Sequence, residues 1–501
     1  MDVSEFRKRG KEVIDAIADY YENLDQLPPM SSVKPGYLYK LMPHEAPEKP
    51  ESFDDIQRDI QSKIMPGMTH WQSGNFFGWF PSNSSFPAML GDMYSNMFNV
   101  IGFNWICSPA ATELETVVMD WLAKLIGLDK RFIAIKDDGT EGEGGGVIQG
   151  SASEAHIVAM LAAREMALVR IRAKENIDEE EANALRHNFV AYFSDQTHSS
   201  GQKAANVVGC KTRCIRTGDD FRLTKEPLIA AIKQDMGAGL IPFFVCGTFG
   251  TTNTTAIDDL PGIADVAAAH NLWYHVDAAY AGAALTCPEF RPLASGIERA
   301  DSFNFNTHKW MLTNFDCSAL WVADSTHLVN ALSIHREYLP RVKGDTDFVK
   351  DYRDWQMPLG RRFRALKLWF VMRMYGASGI RTHIRNHVEQ AKWLEQQLIK
   401  DGRFEIKAPV VFGLVVFGIK ASALASNCAR IEDVQALQDR VNANLAKFVN
   451  ADGRVFLVGT KLHDHDAVRA AIGSAYGKQE NVDLLLQVIK ESADKAIAET
   501  S

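Results

Sequence analysis

The sequence contains no apolar run near the ~18 residues that a membrane span requires. It is poor in cysteine, with 7 in 501 residues, scattered and odd in number. That usage argues against a disulfide framework and for the reduced thiols of a cytoplasmic protein. An excess of positive charge is also missing. The formal net charge is −9, which gives no electrostatic reason to bind nucleic acid or an anionic membrane. The opening stretch, MDVSEFRKRGKEVIDAIADYY, carries charges throughout and lacks the apolar core of a signal peptide. Asn83-Ser-Ser and Asn253-Thr-Thr match the glycosylation pattern. Without a secretory signal they read as chance matches. There is no internal repeat and no long low-complexity tract.

What is present is the balance of a globular protein, with 46% hydrophobic and 23% charged residues. The length suits two or three domains rather than one small core. The first segment, 1–85, opens with an amphipathic helix. Ser4 is its expected cap, and Phe6, Val13, Ile17 and Tyr20 fall on one face. A Pro-rich extended stretch and a second helix around 53–64 follow.

From about residue 86 to 366 the texture changes. Helical segments alternate with short apolar runs: NFVAYF, LIPFFVCGTFG, LWYHVDAAY and FNFNTHKWML. This alternation predicts an α/β fold with a mostly parallel sheet flanked by helices. In such sheets ligands gather at the carboxyl ends of the strands. GTEGEGGG (139–146) reads as a flexible loop, and 334–353 as a polar loop able to act as a lid. From 367 to 501 a long amphipathic helix (Ile380, Ile384, Val388, Ala391 and Leu398 on one stripe) and antiparallel strands predict an α+β C-terminal domain.

Four elements carry chemistry. Lys309 follows an apolar run, beside His308. A lysine in such surroundings loses its proton more readily and can form a Schiff base with an aldehyde. Asp277, in HVDAAYAG, ends a strand signal and precedes small residues, so a flat ring can approach it. Its carboxylate can keep a ring nitrogen protonated. Ser151, Ala152 and Ser153 stand between a glycine turn and a helix, an arrangement suited to an anion. His198, in YFSDQTHSS, can stack on a flat ring or meet a carboxylate. Each has a plainer alternative: a surface lysine, two helix caps and a structural histidine. The order of the four, each after a strand signal, is what distinguishes them. A further cluster, WQSGNFFGWFPSNSSFP with Ile101, Phe103 and Trp105, places aromatics among Gly, Ser and Asn, as in a loop-built pocket. His463 and His465, in HDHD, lack companion ligands at a diagnostic spacing, so no metal site is expected.

The chain resembles the group II pyridoxal-phosphate decarboxylases, and within them the aromatic-L-amino-acid decarboxylases. The stretches that carry the resemblance include PGMTHW, SNSSFPAML, SPAATELETVVMDWL, GVIQGSASEA, SDQTHSS, HVDAAYAG, FNTHKW and DYRDWQMPLGRRFRALKLWFV. The resemblance implies the type I fold of pyridoxal-phosphate-dependent enzymes and a homodimer with active sites at the subunit interface. It implies that pyridoxal 5'-phosphate is held covalently by Lys309. Asp277 would pair with the pyridine nitrogen and His198 would stack on the ring. Ser151, Ala152, Ser153 and Asn306 would hold the phosphate, Thr252 and Ala279 would line the ring, and His308 would also bind the cofactor. Trp79, Phe80, Pro81, Ser82, Ile101, Phe103 and Gly360 would form the side-chain pocket, partly from the other subunit.

Tyr338 would protonate Cα after CO2 leaves, which yields an amine. Relatives with phenylalanine there tend to release an aldehyde instead. Gly360 leaves room for an indole, so L-tryptophan is the expected substrate, with phenylalanine, tyrosine, DOPA and 5-hydroxytryptophan as further candidates. The competing readings are an aromatic acetaldehyde synthase and a catalytically silent dimeric scaffold.

Overall fold

A computed structural model describes residues 1–333, 350–424 and 431–500. Tyr338, like most of the expected lid, lies outside the described residues. The chain forms two compact units. The larger comprises Ser82–Lys392 and Ala408–Val415. The smaller comprises Met1–Pro81, Trp393–Lys407 and Val416–Ser501.

The larger unit is built on a seven-stranded sheet. Its strands are β1 (Gly145–Gln149), β2 (Phe189–Ser194), β3 (Lys211–Ile215), β4 (Ile241–Thr248), β5 (Trp273–Asp277), β6 (Ser302–Asn306) and β7 (Ser318–Val322). Their order is β1-β7-β6-β5-β4-β2-β3. Strands β6, β5, β4, β2 and β3 pair in parallel. β7 runs against both β6 and β1. Every residue of β1, β2, β5, β6 and β7 is buried. Strands covered by helices on both faces need continuous apolar sequence rather than alternation, which is why the apolar runs were legible. Edge strand β3 is the exception, with an exposed start.

The helix Ala152–Glu175 packs an alanine-rich face (Ala155, Ala159, Ala162 and Ala163) into the core beside Val147, Phe189 and Phe243. Small side chains let the helix axis lie close to the sheet. Because β1, β2, β4, β5 and β6 share a direction, the segments that follow them emerge along one edge of the sheet. These segments carry Ser151, His198, Thr252, Ala279 and Lys309.

Two local expectations are corrected. Asp2, not Ser4, caps the first helix, Val3–Glu22, by accepting from Glu5 N at 2.8 Å. Its position two residues earlier leaves Ser4 inside the helix. None of that helix is buried. Gly145 and Gly146 belong to β1, not to a loop. A Cβ on Gly146 would lie 2.6 Å from both Met119 Cε and Trp321 Nε1, so glycine is there to admit neighbours rather than to bend the chain.

Asn83 is buried and its Oδ1 accepts from Leu312 N at 3.1 Å. The helix Ala365–Asp401 is interrupted at Gly376, where φ is 64°. Its expected stripe, Ile380, Ile384, Val388, Ala391 and Leu398, is buried.

A second, four-stranded sheet has the order β10-β11-β9-β8, with β8 (Phe404–Ile406), β9 (Leu414–Ile419), β10 (Val458–Leu462) and β11 (His465–Ala471). His463 and Asp464 both have positive φ, 44° and 77°, and form the two-residue turn between β10 and β11. His465 begins β11, and its Nδ1 lies 3.2 Å from Asp439 Oδ2.

Candidate active site

Asp277 closes β5 with its side chain almost fully buried. The backbone turns immediately after it, so Ala279 N donates to Asp277 Oδ1 at 2.8 Å. On the other oxygen, Oδ2, stands His156 Nε2 at 3.6 Å. Burial pushes this carboxyl up. The nearby His156, His275 and Lys309, with the Ala279 N–H, outweigh that and hold it below the usual carboxylate range. An ionised carboxylate is therefore built into the end of a buried strand.

Lys309 lies in the short helix Thr307–Trp310, directly after β6, and is half-buried. Its charge acts on Asp277, His198 and His308 alike, so these four residues share one site. His308 Nδ1 accepts from Cys317 N at 2.9 Å, which places its ring hydrogen on Nε2. Burial, then Lys309, pushes its pKa down to about 3. His198 is exposed at the end of the β2 turn. Its Nδ1 accepts from Ser200 N at 3.1 Å, so its Nε2 carries the hydrogen too. Desolvation and then Lys309 lower its pKa. Both rings are thus neutral donors at ordinary pH.

Ser151 caps the helix Ala152–Glu175, its Oγ accepting from Glu154 N at 3.2 Å. Ala155 N is taken by Ser151 O at 3.0 Å. The N–H groups of Ala152 and Ser153 point out of the helix, where its dipole favours an anion. Across the sheet, Gln149, Ser318 and Asn306 stand in one row of paired residues. All three are buried, and each leaves a side-chain oxygen without a partner among the described residues. Thr252 sits in the loop after β4, which is closed by Gly250 N and Thr251 N donating to Ala256 O at 3.1 and 2.9 Å.

A phosphorylated pyridine fits this donor set. The N–H groups at the helix start suit the phosphate, Asp277 suits a ring N–H, and Lys309 suits an aldehyde.

The expected side-chain pocket residues fall in two places. In the larger unit a Cβ on Gly360 would sit 3.4 Å from Ile101 Cγ2, so these two are neighbours, and both are exposed. Phe103 and Ser82 are half-buried. In the smaller unit Trp79, with φ 52°, stacks on Trp71 at 5.3 Å. Arg469 covers the Phe80 ring at 5.1 Å, and Pro81 packs on Gly473.

The residues that sequence reasoning missed lie behind Asp277. His275 is two positions earlier on β5 and so shares its face. Its Nε2 donates to Asn304 Oδ1 at 2.9 Å and its Nδ1 accepts from Ser302 Oγ at 2.7 Å. Ser302 Oγ in turn accepts from Trp273 Nε1 at 2.8 Å. Burial and then His156 push His275 down to about 3. The available signal was a histidine inside an otherwise apolar strand, spaced two from a carboxylate.

The pyridoxal-dependent decarboxylase conserved domain matches residues 35–420. The chain belongs to this family. It is 44% identical to phenylacetaldehyde synthase of Arabidopsis thaliana over 498 residues, 98% of this chain and 96% of that one. It is 44% identical to aromatic-L-amino-acid decarboxylase of Mus musculus over 497 residues, 99% of each. Oryza sativa TDC, solved with PLP and tryptamine, superposes with a TM-score of 0.91 at 38% identity, covering 99% of both chains. The cofactor of this decarboxylase is accordingly pyridoxal phosphate, and its chemistry that of a carboxy-lyase on the aromatic amino acid branch of the family. Among the described residues no helix is long and apolar enough to cross a membrane.

Proposed function

We propose that this decarboxylase converts aromatic L-amino acids, L-tryptophan foremost, to arylethylamines and CO2, as a cytoplasmic homodimer. The observation that carries the reading is the ionised, buried Asp277 beside Lys309 at the carboxyl edge of a parallel sheet.

The bound cofactor supplies an electron sink for the pair released when the Cα–carboxylate bond breaks. Lys309 would hold the cofactor and, once released, remain beside it as a free amine. Asp277 accepts the ring N–H and, by staying ionised, keeps that nitrogen protonated. His198 would lie against the ring face. Ser151, Ala152, Ser153 and Asn306 would hold the phosphate, Thr252 and Ala279 would border the ring, and His308 would be a further cofactor contact. Ile101, Phe103 and Gly360 face the substrate side chain and orient the carboxylate for cleavage. Tyr338 delivers the proton to Cα.

Support for tryptophan comes from Gly360, whose missing side chain leaves space beside Ile101, and from the tryptamine held by Oryza sativa TDC. Support for a dimer comes from the helix Phe86–Phe98 and the loop after it. Met97, Phe98, Ile101 and Ile106 are 62, 52, 62 and 63% exposed, a patch of the kind that marks an interface. Sedimentation of the purified protein tests this. A monomer at all concentrations would refute it.

The likeness to phenylacetaldehyde synthase sustains a second reading, oxidative release of an aldehyde. One experiment separates the two. Purified protein is mixed separately with L-tryptophan, L-tyrosine, L-DOPA and L-phenylalanine, and amine and peroxide are followed. Amine without peroxide is expected, with peroxide emerging in Tyr338→Phe. Persisting amine with neither aldehyde nor peroxide in that variant would refute the role of Tyr338. Loss of the visible absorption in Lys309→Ala would identify the anchoring residue.

A further inference from the structure

His156 is fully buried in the first turns of the helix Ala152–Glu175. Its two ring nitrogens face opposite ends of the cofactor cradle. Nδ1 lies 2.8 Å from Ala152 O. A carbonyl only accepts, so Nδ1 is the donor there. Nε2 lies 3.6 Å from Asp277 Oδ2, too long for a hydrogen bond and within range of an ion pair. The ring is clamped edge-to-face against His275, with centroids 4.9 Å apart, and Cys246 Sγ is 3.9 Å from Nε2.

We propose that His156 is a positioning residue that ties the Asp277 carboxylate to the start of the phosphate-facing helix. The two anchor points of the cofactor, its ring nitrogen and its phosphate, are thereby held at one fixed separation. Ala279 N donates to Oδ1, and the His156 ring, anchored on Ala152 O, faces Oδ2 as its ion-pair partner when it carries both protons, so each carboxylate oxygen has a neighbour that orients it. This inference rests on the pairing of Asp277 with the ring nitrogen.

The titratable groups that face the pair are His275 on β5, Cys246 on β4, and Lys309 and His198 from the segments after β6 and β2. His156 acts on Asp277 in the lowering direction. Its removal therefore raises the pH at which the carboxylate gains a proton.

The test uses full-length apoprotein titrated with pyridoxal phosphate and followed by protein fluorescence, with melting temperature as the check on folding. His156→Leu and His156→Gln are each made in the native and the Asp277→Asn backgrounds. His156→Leu is expected to weaken cofactor affinity roughly ten-fold, the order seen when a group that orients an active-site ligand is lost. The low-pH limb of the affinity profile should move to higher pH. The amide N–H of His156→Gln should restore part of the loss. In the Asp277→Asn background neither change should cost anything further. Equal losses in both backgrounds, or a low-pH limb that stays in place, would overturn the proposal. If His156→Leu does not fold, the His156→Gln cycle and its pH profile decide. Asp277→Asn alone leaving affinity unchanged would instead refute the role of Asp277, a distinguishable failure.

Discussion

Arg361 and Glu115 form an ion pair inside the larger unit, with side chains only 2 and 4% exposed. Glu115 Oε1 also accepts from Ile148 N at 2.8 Å, and the guanidinium lies over the Tyr352 ring at 4.8 Å. Arg361 O accepts from Gly102 N at 3.3 Å. The pair thus fixes Gly360 beside Ile101. Glu115→Ala strands a buried guanidinium and is expected to cost about 3–5 kcal/mol. Urea unfolding measures it. The double variant Glu115→Ala/Arg361→Met should cost less than the sum of the two single changes.

Gly360→Ser puts a Cβ in contact with Ile101 Cγ2 and a hydroxyl beyond it. The space for an indole narrows more than that for a phenol. The ratio of kcat/KM for L-tryptophan over L-tyrosine should fall roughly ten-fold or more, the scale of one misplaced group in an apolar pocket. An unchanged ratio would separate Gly360 from substrate choice.

Gly250 has φ 88°, and a Cβ there would meet Ala281 Cβ at 2.4 Å. Gly250→Ala combines left-handed strain with a clash and should lose about 2 kcal/mol or more. The loop it closes carries Thr252, so cofactor affinity should drop with stability. Normal cofactor affinity in a destabilised variant would show that Thr252 is not held through this turn.

The buried rings of His275 and His308 have pKa values near 3, whereas unfolded histidine titrates near about 6.5. Between these limits the unfolded chain binds more protons. The stabilisation is complete above about 6.5 and is lost as pH falls towards 3, with a slope of about 1.4 kcal/mol per pH unit for each ring. The urea midpoint of the apoprotein should therefore fall from about pH 7 to about pH 5. A flat profile would contradict neutral, buried rings.

Much of the larger unit was readable because doubly covered parallel strands are unbroken apolar runs. The runs around Tyr192, Val245, Val276 and Phe305 are β2, β4, β5 and β6. The edge proposed to be functional followed, since Asp277 ends such a run and Lys309 comes shortly after one. Strand order was not readable. Nothing local shows that β7 lies between β1 and β6. Glycines hid the start of β1, because the reason for Gly146 is a tryptophan far away in sequence. His156 and His275 stayed hidden for a similar reason. A histidine within an apolar stretch has no meaning until its neighbour across the sheet is known. The units interleave as well: Trp393–Lys407 belongs to the smaller and Ala408–Val415 to the larger, a division that no shift in composition marks.

The antiparallel insertion of β7 has a consequence for how the molecule comes into being. Among the described residues β1 has β7 as its only neighbour in the sheet, and Gly145 pairs with Val322. During synthesis, the β1 edge waits with unpaired amides until more than half the chain has been made. Contacts this distant in sequence close slowly, and exposed apolar edges invite aggregation while they wait. The row Gln149, Ser318 and Asn306, beside the proposed phosphate site, exists only after that closure. A supply of cofactor during folding should therefore raise the yield of native protein by capturing chains that have just closed.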